Sequence, residues 1–337
     1  MPTTVTYDAL LGLAERALIA HGYSALAAAP IARTITQCER DGTRSHGLLR
    51  LPGYIEAVRS GWADGTVLPR LTARSPSMLV VDAGNGFTHL ALAQSECEVA
   101  GMAMDTGTAV LLIGNAHHGA ALWPDIEGLA REGFVAMTCV NSRARLTGWG
   151  GSKAVFGTNA SAFACPRAGG DPVVWDQSTS VMSQGDVLLA AREGRAIPEG
   201  VGVDRQGQPT TDPKAVLEGG ALLPFGGHKG ASIAFAVEIL AAALTGAPFG
   251  FESPAKGNLP SKCGQFLLVI DPRRAGAEVG SRVEGLVAAV RGTGSPHTPG
   301  SRRYERRRKS QAEGIPLGED ALANLEKLAA GPAAASA

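Results

Sequence analysis

Along residues 7–40 the apolar positions recur at helical spacing and break once, at Gly22. That pattern predicts two helices, Tyr7–His21 and Ser24–Arg40. A third, Pro52–Ser60, opens on a proline, whose missing N–H costs little in a first helical turn. Met78–Asp82 is a short apolar run ended by Gly84-Asn85-Gly86, a strand followed by a turn. Leu90–Asp105 returns to helical spacing, and Val110–Gly114 reads as a buried strand leading into His117, His118 and Gly119. Further on, helices are expected at Leu122–Arg131, Ser183–Glu193, Gly230–Thr245, Arg282–Arg291 and Glu319–Ala329. Strands are expected at Phe134–Val140, Ser161–Cys165 and Phe266–Asp271. Gly148–Asn159 reads as a glycine-rich loop, Asp204–Gly219 as a polar, turn-rich one, and the closing GPAAASA as disordered. The pattern is that of an α/β protein, with helical segments at both ends and mixed strands between.

The 337 residues suffice for one large or two moderate domains, and 45% are hydrophobic, enough for a substantial core. Lys plus Arg and Asp plus Glu each number 31, so no net charge draws the chain to nucleic acid or to an anionic membrane. Cys38, Cys97, Cys139, Cys165 and Cys263 are dispersed, with no C-x-x-C pair. This argues against a disulfide framework or a thiolate metal site and fits a reducing cytoplasm. MPTTVTYDAL has no basic stretch followed by an apolar run, so no signal peptide is expected. The most apolar segment, Ala231–Thr245, is too short to span a bilayer and contains Glu238, so a buried helix is expected.

No G-x-G-x-x-G occurs: His89 follows Gly84-Asn85-Gly86, and Lys153 follows Gly148-Trp149-Gly150, where glycine is required. A dinucleotide-binding Rossmann unit is therefore not indicated. Walker A, H-E-x-x-H and G-x-S-x-G are also absent.

Other segments carry possible chemistry, each with a plain structural alternative. In TRSHGLLRLPGY, residues 43–54, His46 and Arg50 are one helical turn apart. Arg50 suits a carboxylate, His46 a proton transfer and Ser45 the orientation of His46. By spacing alone the same residues more readily describe a helix capped by Ser45, with His46 partly exposed and Arg50 a solvated charge. NAHHGAALWPD, residues 115–125, offers a helix N-terminus to an anion or is an ordinary strand-to-helix turn. PFGGHKGAS, residues 224–232, sets His228 and Lys229 at the mouth of the apolar helix, for a phosphate or as a glycine-rich helix start. RRYERRR, residues 302–308, is a cofactor-phosphate contact or a solvated basic face. Asp186 stands in the first turn of a helix, where a carboxylate favours the dipole in any case.

Taken in order, S-H-G-x-x-R-x-P-x-Y (Ser45–Tyr54), the H-H-G-A turn, F-G-T-N (Phe156–Asn159), P-F-G-G-H-K-G (Pro224–Gly230), G-Q-x-x-x-x-I-D-P (Gly264–Pro272) and P-G-x-R-R-Y (Pro299–Tyr304) form one set. The chain resembles the malate/L-lactate dehydrogenase superfamily of non-Rossmann NAD(P)H-dependent oxidoreductases over residues 7–330. Within it, ALWPDIE, GDVLLAAREGR and PTTDPKAVLEGGALLPFGGHKG are most similar to the cyclic ketimine reductases acting on Δ1-piperideine-2-carboxylate and Δ1-pyrroline-2-carboxylate. Hydroxy-acid members carry Gly-Lys where this chain has Gly185-Asp186. A lysine stabilises the oxyanion of a reduced ketone, whereas a carboxylate favours a protonated iminium.

The resemblance implies that His46 is the proton donor, with Ser45 and Asp186 as its relay. Arg50 would bind the substrate carboxylate, and Thr158, Gln184 and Gly185 would line the substrate pocket. The cofactor, NADPH with NADH as the alternative, would lie along His118, Gly119, Ala120, Ala121 and Leu122. It would continue along Asp176, Gln177 and Ser178, then His228, Lys229 and Gly230, then Arg302, Arg303, Arg306, Arg307 and Arg308. No metal is implied. The fold implied is an α/β homodimer with a largely antiparallel central sheet in the cofactor domain, residues 117–279. Residues 1–116 with 280–337 would form a helical substrate and dimerisation domain. Ala160 replaces the family's proline after Gly-Thr-Asn, so pocket shape there is expected to differ, and Gln177-Ser178 replaces a more apolar pair, so the cofactor contacts there are expected to depart from the family's. The activity implied is reduction of a small cyclic imino acid to the L-amino acid, L-pipecolate or L-proline. Reduction of a 2-oxo acid, another imine, or a non-catalytic nucleotide-binding module are the competing readings.

Overall fold

The computed structural model describes residues 3–332 except 255, 256, 258 and 277. The expected disorder of the C-terminal tail falls mostly outside these residues. The helices are α1 (Tyr7–Ala20), α2 (Ala25–Arg40), α3 (Leu51–Arg59), α4 (Thr88–Thr106), α5 (Trp123–Arg131), α6 (Gln184–Arg192), α7 (Pro213–Leu217), α8 (His228–Val237), α9 (Val279–Gly292), α10 (Ser301–Glu313) and α11 (Glu319–Ala330). The strands are β1 (Thr3–Val5), β2 (Arg70–Ser75), β3 (Met78–Asp82), β4 (Thr108–His118), β5 (Val135–Val140), β6 (Leu146–Thr147), β7 (Ala154–Phe156), β8 (Ser161–Cys165), β9 (Val173–Gln177), β10 (Gly202–Val203), β11 (Pro209–Thr210), β12 (Ala221–Leu222), β13 (Ser261–Ile270) and β14 (Ile315–Leu317).

A seven-stranded sheet in the order β2-β3-β4-β13-β5-β8-β9 forms the centre. Only β3 and β4 pair in parallel, across the α4 crossover; every other neighbouring pair is antiparallel. The fold is therefore the mixed, non-Rossmann α/β arrangement expected. Its main core lies between this sheet and α4 and α5, where Leu111, Ile113, Trp123, Ile126 and Leu129 are buried. A second core joins α1, α2, α3 and α11 at the two chain ends, clamped by the β1–β14 pair. A five-stranded sheet, β11-β10-β12-β6-β7, packs with α6 around Leu146, Val187 and Leu222.

Several expectations need correcting. The boundary drawn at 116/117 falls inside β4, and residues 70–116 contribute β2, β3 and most of β4 to the central sheet. The loop expected over Gly148–Asn159 contains β7, and that over Asp204–Gly219 contains β11 and α7. These short elements pair or pack only in tertiary context and carry no period of their own. β13 starts at Ser261, five residues ahead of the apolar run, because its polar beginning is buried too. There Gln265 donates to Asp125 Oδ2 at 2.7 Å and to Thr138 Oγ1 at 3.1 Å. Arg302–Arg308 lies on helix α10, whose charge run conceals any period; Tyr304 alone among its residues is buried. The apolar helix expected over Gly230–Thr245 is α8 followed by a π-helical stretch, Glu238–Ala243. Glycines at 114 and 264, on adjacent strands, let that stretch lie against the sheet: a Cβ on either would collide with Thr245.

Candidate active site

A cleft of about 350 Å³ opens between the Ser45–Arg50 segment, the end of β4, the start of β13 and the N-terminus of α6. Ser45, His46, Arg50, Thr158, Gln184, Gly185 and Asp186 all line it, as do His118, Gly119, Ala120, Ala121, Asp176, Gln177, Ser178 and Arg303. Residues as far apart in the chain as Ser45 and Arg303 thus line one cleft.

His46 and Arg50 do not share a face of one α-helix. They end two successive 3₁₀ turns, Arg44–His46 and Leu48–Arg50, which break at Gly47. The break is set by Glu39 on α2. Its buried carboxylate accepts from Leu48 N at 2.7 Å, and a Cβ on Gly47 would collide with it. α3 begins directly afterwards with Pro52 in its first turn, so the polar residues sit on a turn just ahead of that helix.

Within this turn Ser45 Oγ lies 3.1 Å from His46 Nδ1, and Arg50 Nε donates to the Ser45 carbonyl at 2.8 Å. With the hydroxyl donating to Nδ1, the ring proton belongs on Nε2. Burial lowers the His46 pKa to about 3, assisted by the neighbouring Arg50 cation and His118. The imidazole is therefore neutral at physiological pH.

α6 brings the second half. Ser183 caps the helix, accepting from Asp186 N at 3.1 Å and donating to Asp186 Oδ2 at 2.7 Å. The Asp186 carboxylate is thus bonded to Ser183, and among the described contacts none joins it to His46. Its negative charge is felt by Arg50. Gly185 lets α6 approach: a Cβ there would lie 2.9 Å from Ser45 Cβ and 3.2 Å from Arg50 Nη2.

The opposite wall is made by β4 and β9. His118 lies in β4, not in the turn after it. Its Nε2 donates to the Ala120 carbonyl at 3.1 Å, which requires Nδ1 to accept from Thr88 Oγ1 at 2.8 Å. Asp176, on β9, accepts from the backbone N–H groups of Leu122 and Trp123 at 2.7 and 3.0 Å, capping α5. That helix end is therefore already satisfied by a protein carboxylate. Leu122 itself is fully buried behind the wall. Arg303 stacks over Trp123, 4.7 Å from its ring centroid, and both Arg303 Nη1 and Trp123 Nε1 are buried without a partner. Sequence reasoning missed Tyr54, Trp123, Asn141, Ser142, Arg143 and Ser261 in the lining. Tyr54 and Trp123 stood in quoted motifs; the others lie in stretches whose spacing carries no signal.

Not every expected residue reaches the cleft. His228 and Lys229 are exposed at the start of α8, with Trp149 5.7 Å from the His228 ring. Gly230 is buried where a Cβ would lie 2.5 Å from the Phe225 carbonyl. Arg307 is bound by Asp41 at 2.6 Å and, closely, by Glu127. Arg308 pairs with Asp171 at 3.0 Å, and Arg306 donates to the Gly42 carbonyl at 3.3 Å. Arg302 is exposed. Among the described residues no group of three His, Cys, Asp or Glu side chains could hold a metal, and no helix is long and apolar enough to cross a membrane.

The sequence matches the malate/L-lactate dehydrogenase family over residues 5–326. It is 45% identical over 330 residues to a Δ1-pyrroline-2-carboxylate/Δ1-piperideine-2-carboxylate reductase of Pseudomonas syringae pv. tomato, covering 97% of this chain and 96% of that one. The crystal structure of Δ1-piperideine-2-carboxylate reductase from that organism superposes with a TM-score of 0.94 at 44% identity, covering 97% and 99% of the two chains. A (2R)-3-sulfolactate dehydrogenase (NADP+) of Chromohalobacter salexigens is 38% identical over 321 residues, 94% of this chain and 95% of that one.

Proposed function

Because the chain belongs to the malate/L-lactate dehydrogenase family, we propose that it reduces a small cyclic imino acid, of the Δ1-piperideine-2-carboxylate or Δ1-pyrroline-2-carboxylate type, to L-pipecolate or L-proline. The observation that carries this reading is the placement of a carboxylate, Asp186, in one cleft with Arg50 and His46. A negative charge beside the reacting bond favours an iminium over a developing alkoxide.

Arg50 keeps its terminal nitrogens for the substrate carboxylate, since Nε is spent on the Ser45 carbonyl. That pairing offsets one of the charges that hold the His46 pKa down, so docking of the substrate itself readies His46 as a donor. A proton that His46 takes up from solvent on docking then passes from Nε2 to the ring nitrogen, which returns the imidazole to its neutral form, while Ser45 Oγ beside Nδ1 orients the ring. Asp186 stabilises the cationic imine while it waits for hydride.

The wall opposite suits a nicotinamide cofactor, which supplies the hydride when bound. Gly119, Ala120 and Ala121 line it, and Arg303 and Trp123 present unpartnered polar atoms beside it. We assign Asp176, Gln177 and Ser178 to the same wall. His228 and Lys229, exposed at the start of α8, would contribute at its periphery. NADPH is preferred on Arg303 of α10, which lines the cleft, and the similarity to an NADP+-dependent sulfolactate dehydrogenase supports it. The homodimer is supported by Ile233, Phe235, Ile239 and Leu244, exposed apolar residues along α8 and its π-helical continuation. The cytoplasm is supported by five cysteines held as free thiols.

NADPH oxidation measured with Δ1-piperideine-2-carboxylate, oxaloacetate and pyruvate tests the reading. Turnover of the imine is expected; turnover of the 2-oxo acids alone would replace it with the hydroxy-acid dehydrogenase reading.

A further inference from the structure

Glu238 is a buried carboxylate to which the mechanism gives no task. It opens the π-helical stretch after α8, is 5% exposed and does not line the cleft. Both of its oxygens are occupied by N–H donors. Asn159 Nδ2 donates to Oε1 at 2.9 Å, and Gly250 N and Asn141 Nδ2 donate to Oε2 at 3.1 and 3.3 Å. The Gly157 N–H is a further donor to it. Burial raises the Glu238 pKa, and these bonds oppose the rise.

The donors lead to one wall of the cleft. Asn159 directly follows Thr158 and holds φ at +41°, a left-handed conformation that a residue other than glycine keeps only when its surroundings hold it there. Its Nδ2 also donates to the Ala234 carbonyl at 3.0 Å, and its Oδ1 accepts from Ser142 N at 3.2 Å. Asn141 donates to the Pro248 carbonyl at 2.9 Å and accepts from Gly264 N at 3.1 Å. Gly250 packs against the same group: a Cβ there would lie 2.9 Å from Glu238 Oε1 and 2.7 Å from the Ser142 carbonyl. Thr158, Asn141 and Ser142 line the cleft, with Glu238 and Asn159 behind them. Arg50 and His46 hold the substrate by its carboxylate and nitrogen. The remaining ring atoms are left to meet residues supplied by neither the catalytic turn nor the wall assigned to the cofactor, and Thr158, Asn141 and Ser142 are among these.

We propose that Glu238 is a positioning residue for the substrate. By gathering Asn159, Asn141 and the Gly250 N–H on one carboxylate, it fixes the wall of Thr158, Asn141 and Ser142 against which the ring of the imino acid seats. This role rests on the imine-reductase reading and adds a residue to it. Glu238 transfers no proton and touches neither substrate nor cofactor, so its loss weakens binding of the ring more than it slows the chemistry.

Kinetics and hydrogen exchange test this. Glu238→Gln keeps the size of the side chain but turns an NH2 group toward donors that need an acceptor. KM for the imino acid and Ki for pyridine-2-carboxylate, a flat stand-in that binds without reacting, should both rise about tenfold or more, while kcat changes by less than about threefold and Kd for NADPH holds. Asn159→Ala should give a rise of the same size, and the double variant no more than either alone, because the two residues act through one bond. Unchanged KM and Ki in Glu238→Gln, rises that multiply in the double variant, or a loss confined to melting temperature overturn the proposal. A further measurement needs no variant to fold. The Gly250 N–H bonds to Glu238 outside the cleft, and its exchange in the unaltered protein should slow about tenfold or more when pyridine-2-carboxylate binds. Exchange that does not respond overturns the proposal. Reduction of 2-oxo acids in place of the imines removes the imine reading instead. The pyridine-2-carboxylate Ki and the exchange of Gly250, which need no turnover, then still decide whether Glu238 positions the wall.

Discussion

Glu39 accepts a hydrogen bond from the backbone N–H of Leu48, 2.7 Å away, and thereby fixes the turn that carries Ser45, His46 and Arg50. The carboxylate is 7% exposed and sits on α2, packed in the helical core rather than in the cleft. Glu39→Ala leaves a buried N–H without a partner, a loss of about 1–3 kcal/mol. It should lower kcat/KM for the imino acid by about 10- to 100-fold. Glu39→Gln, whose amide oxygen can still accept, should recover most of it. Steady-state kinetics on both variants, with NADPH affinity by fluorescence as the control, check this.

Gly185 is needed because helix α6 touches the catalytic turn. Gly185→Ala places a methyl 2.9 Å from Ser45 Cβ. The helix must withdraw or the turn must shift, so KM for the substrate should rise and kcat fall by at least about tenfold, with melting temperature little changed. A variant with unaltered KM and kcat would show that the two elements do not meet as described.

The depressed pKa of His46 can be measured directly. In the free protein its ring should titrate far below 6.5, remaining neutral from pH 5 to 8, because burial and Arg50 disfavour the cation. Arg50→Met removes one of these causes, and pyridine-2-carboxylate bound at Arg50 offsets the same charge. Both should move the midpoint upward in an NMR titration of the His46 Cε1–H. A midpoint near 6.5 in the unaltered protein contradicts the assignment. His46→Asn should cost about 10²- to 10⁴-fold in kcat.

Under the proposed mechanism Asp186 is the residue that should separate imine from ketone chemistry. Asp186→Lys places a cation beside the reacting bond and should abolish most imine reduction while sparing or raising any activity on a 2-oxo acid. Asp186→Asn should lie between. Equal imine rates in all three proteins would remove the carboxylate from the mechanism.

Asp125 links stability to pH. It is buried against Gln265, and burial raises its pKa to about 8 from an ordinary 3.8. Between those values the unfolded chain has lost the proton and the folded chain keeps it, so stability declines as pH rises through that window. Asp125→Asn, neutral throughout, should flatten the decline in melting temperature between pH 5 and 8. A parallel decline in both proteins would assign the effect elsewhere.

The positions of α1–α6, β3, β5 and β8 were legible because each carries its own apolar period, and the turn at Ser45–Arg50 was legible as a motif. β9 and α10 were not. Val173–Gln177 is a strand only because β8 offers it a ladder, and Arg302–Arg308 is a helix whose charges are spent on Asp41, Glu127 and Asp171. Arg143 could not be singled out either, since nothing in its spacing distinguishes it from Arg145.

The sequence by itself determined the types of the strongly periodic elements, the family and the chemical inventory: an imidazole, a guanidinium and a carboxylate in recognisable local settings. Distance across space was left to the tertiary structure, because spacing along a chain says nothing about which loops a sheet brings together. Only the fold joined Gly185 to Ser45, put Glu39 beneath Leu48, drew Arg307 into ion pairs away from the cleft and brought Asp186 into one cleft with Arg50. Those relationships depend on how β4, β13 and α6 pack, and packing is decided by burial of side chains far from the residues that do the chemistry.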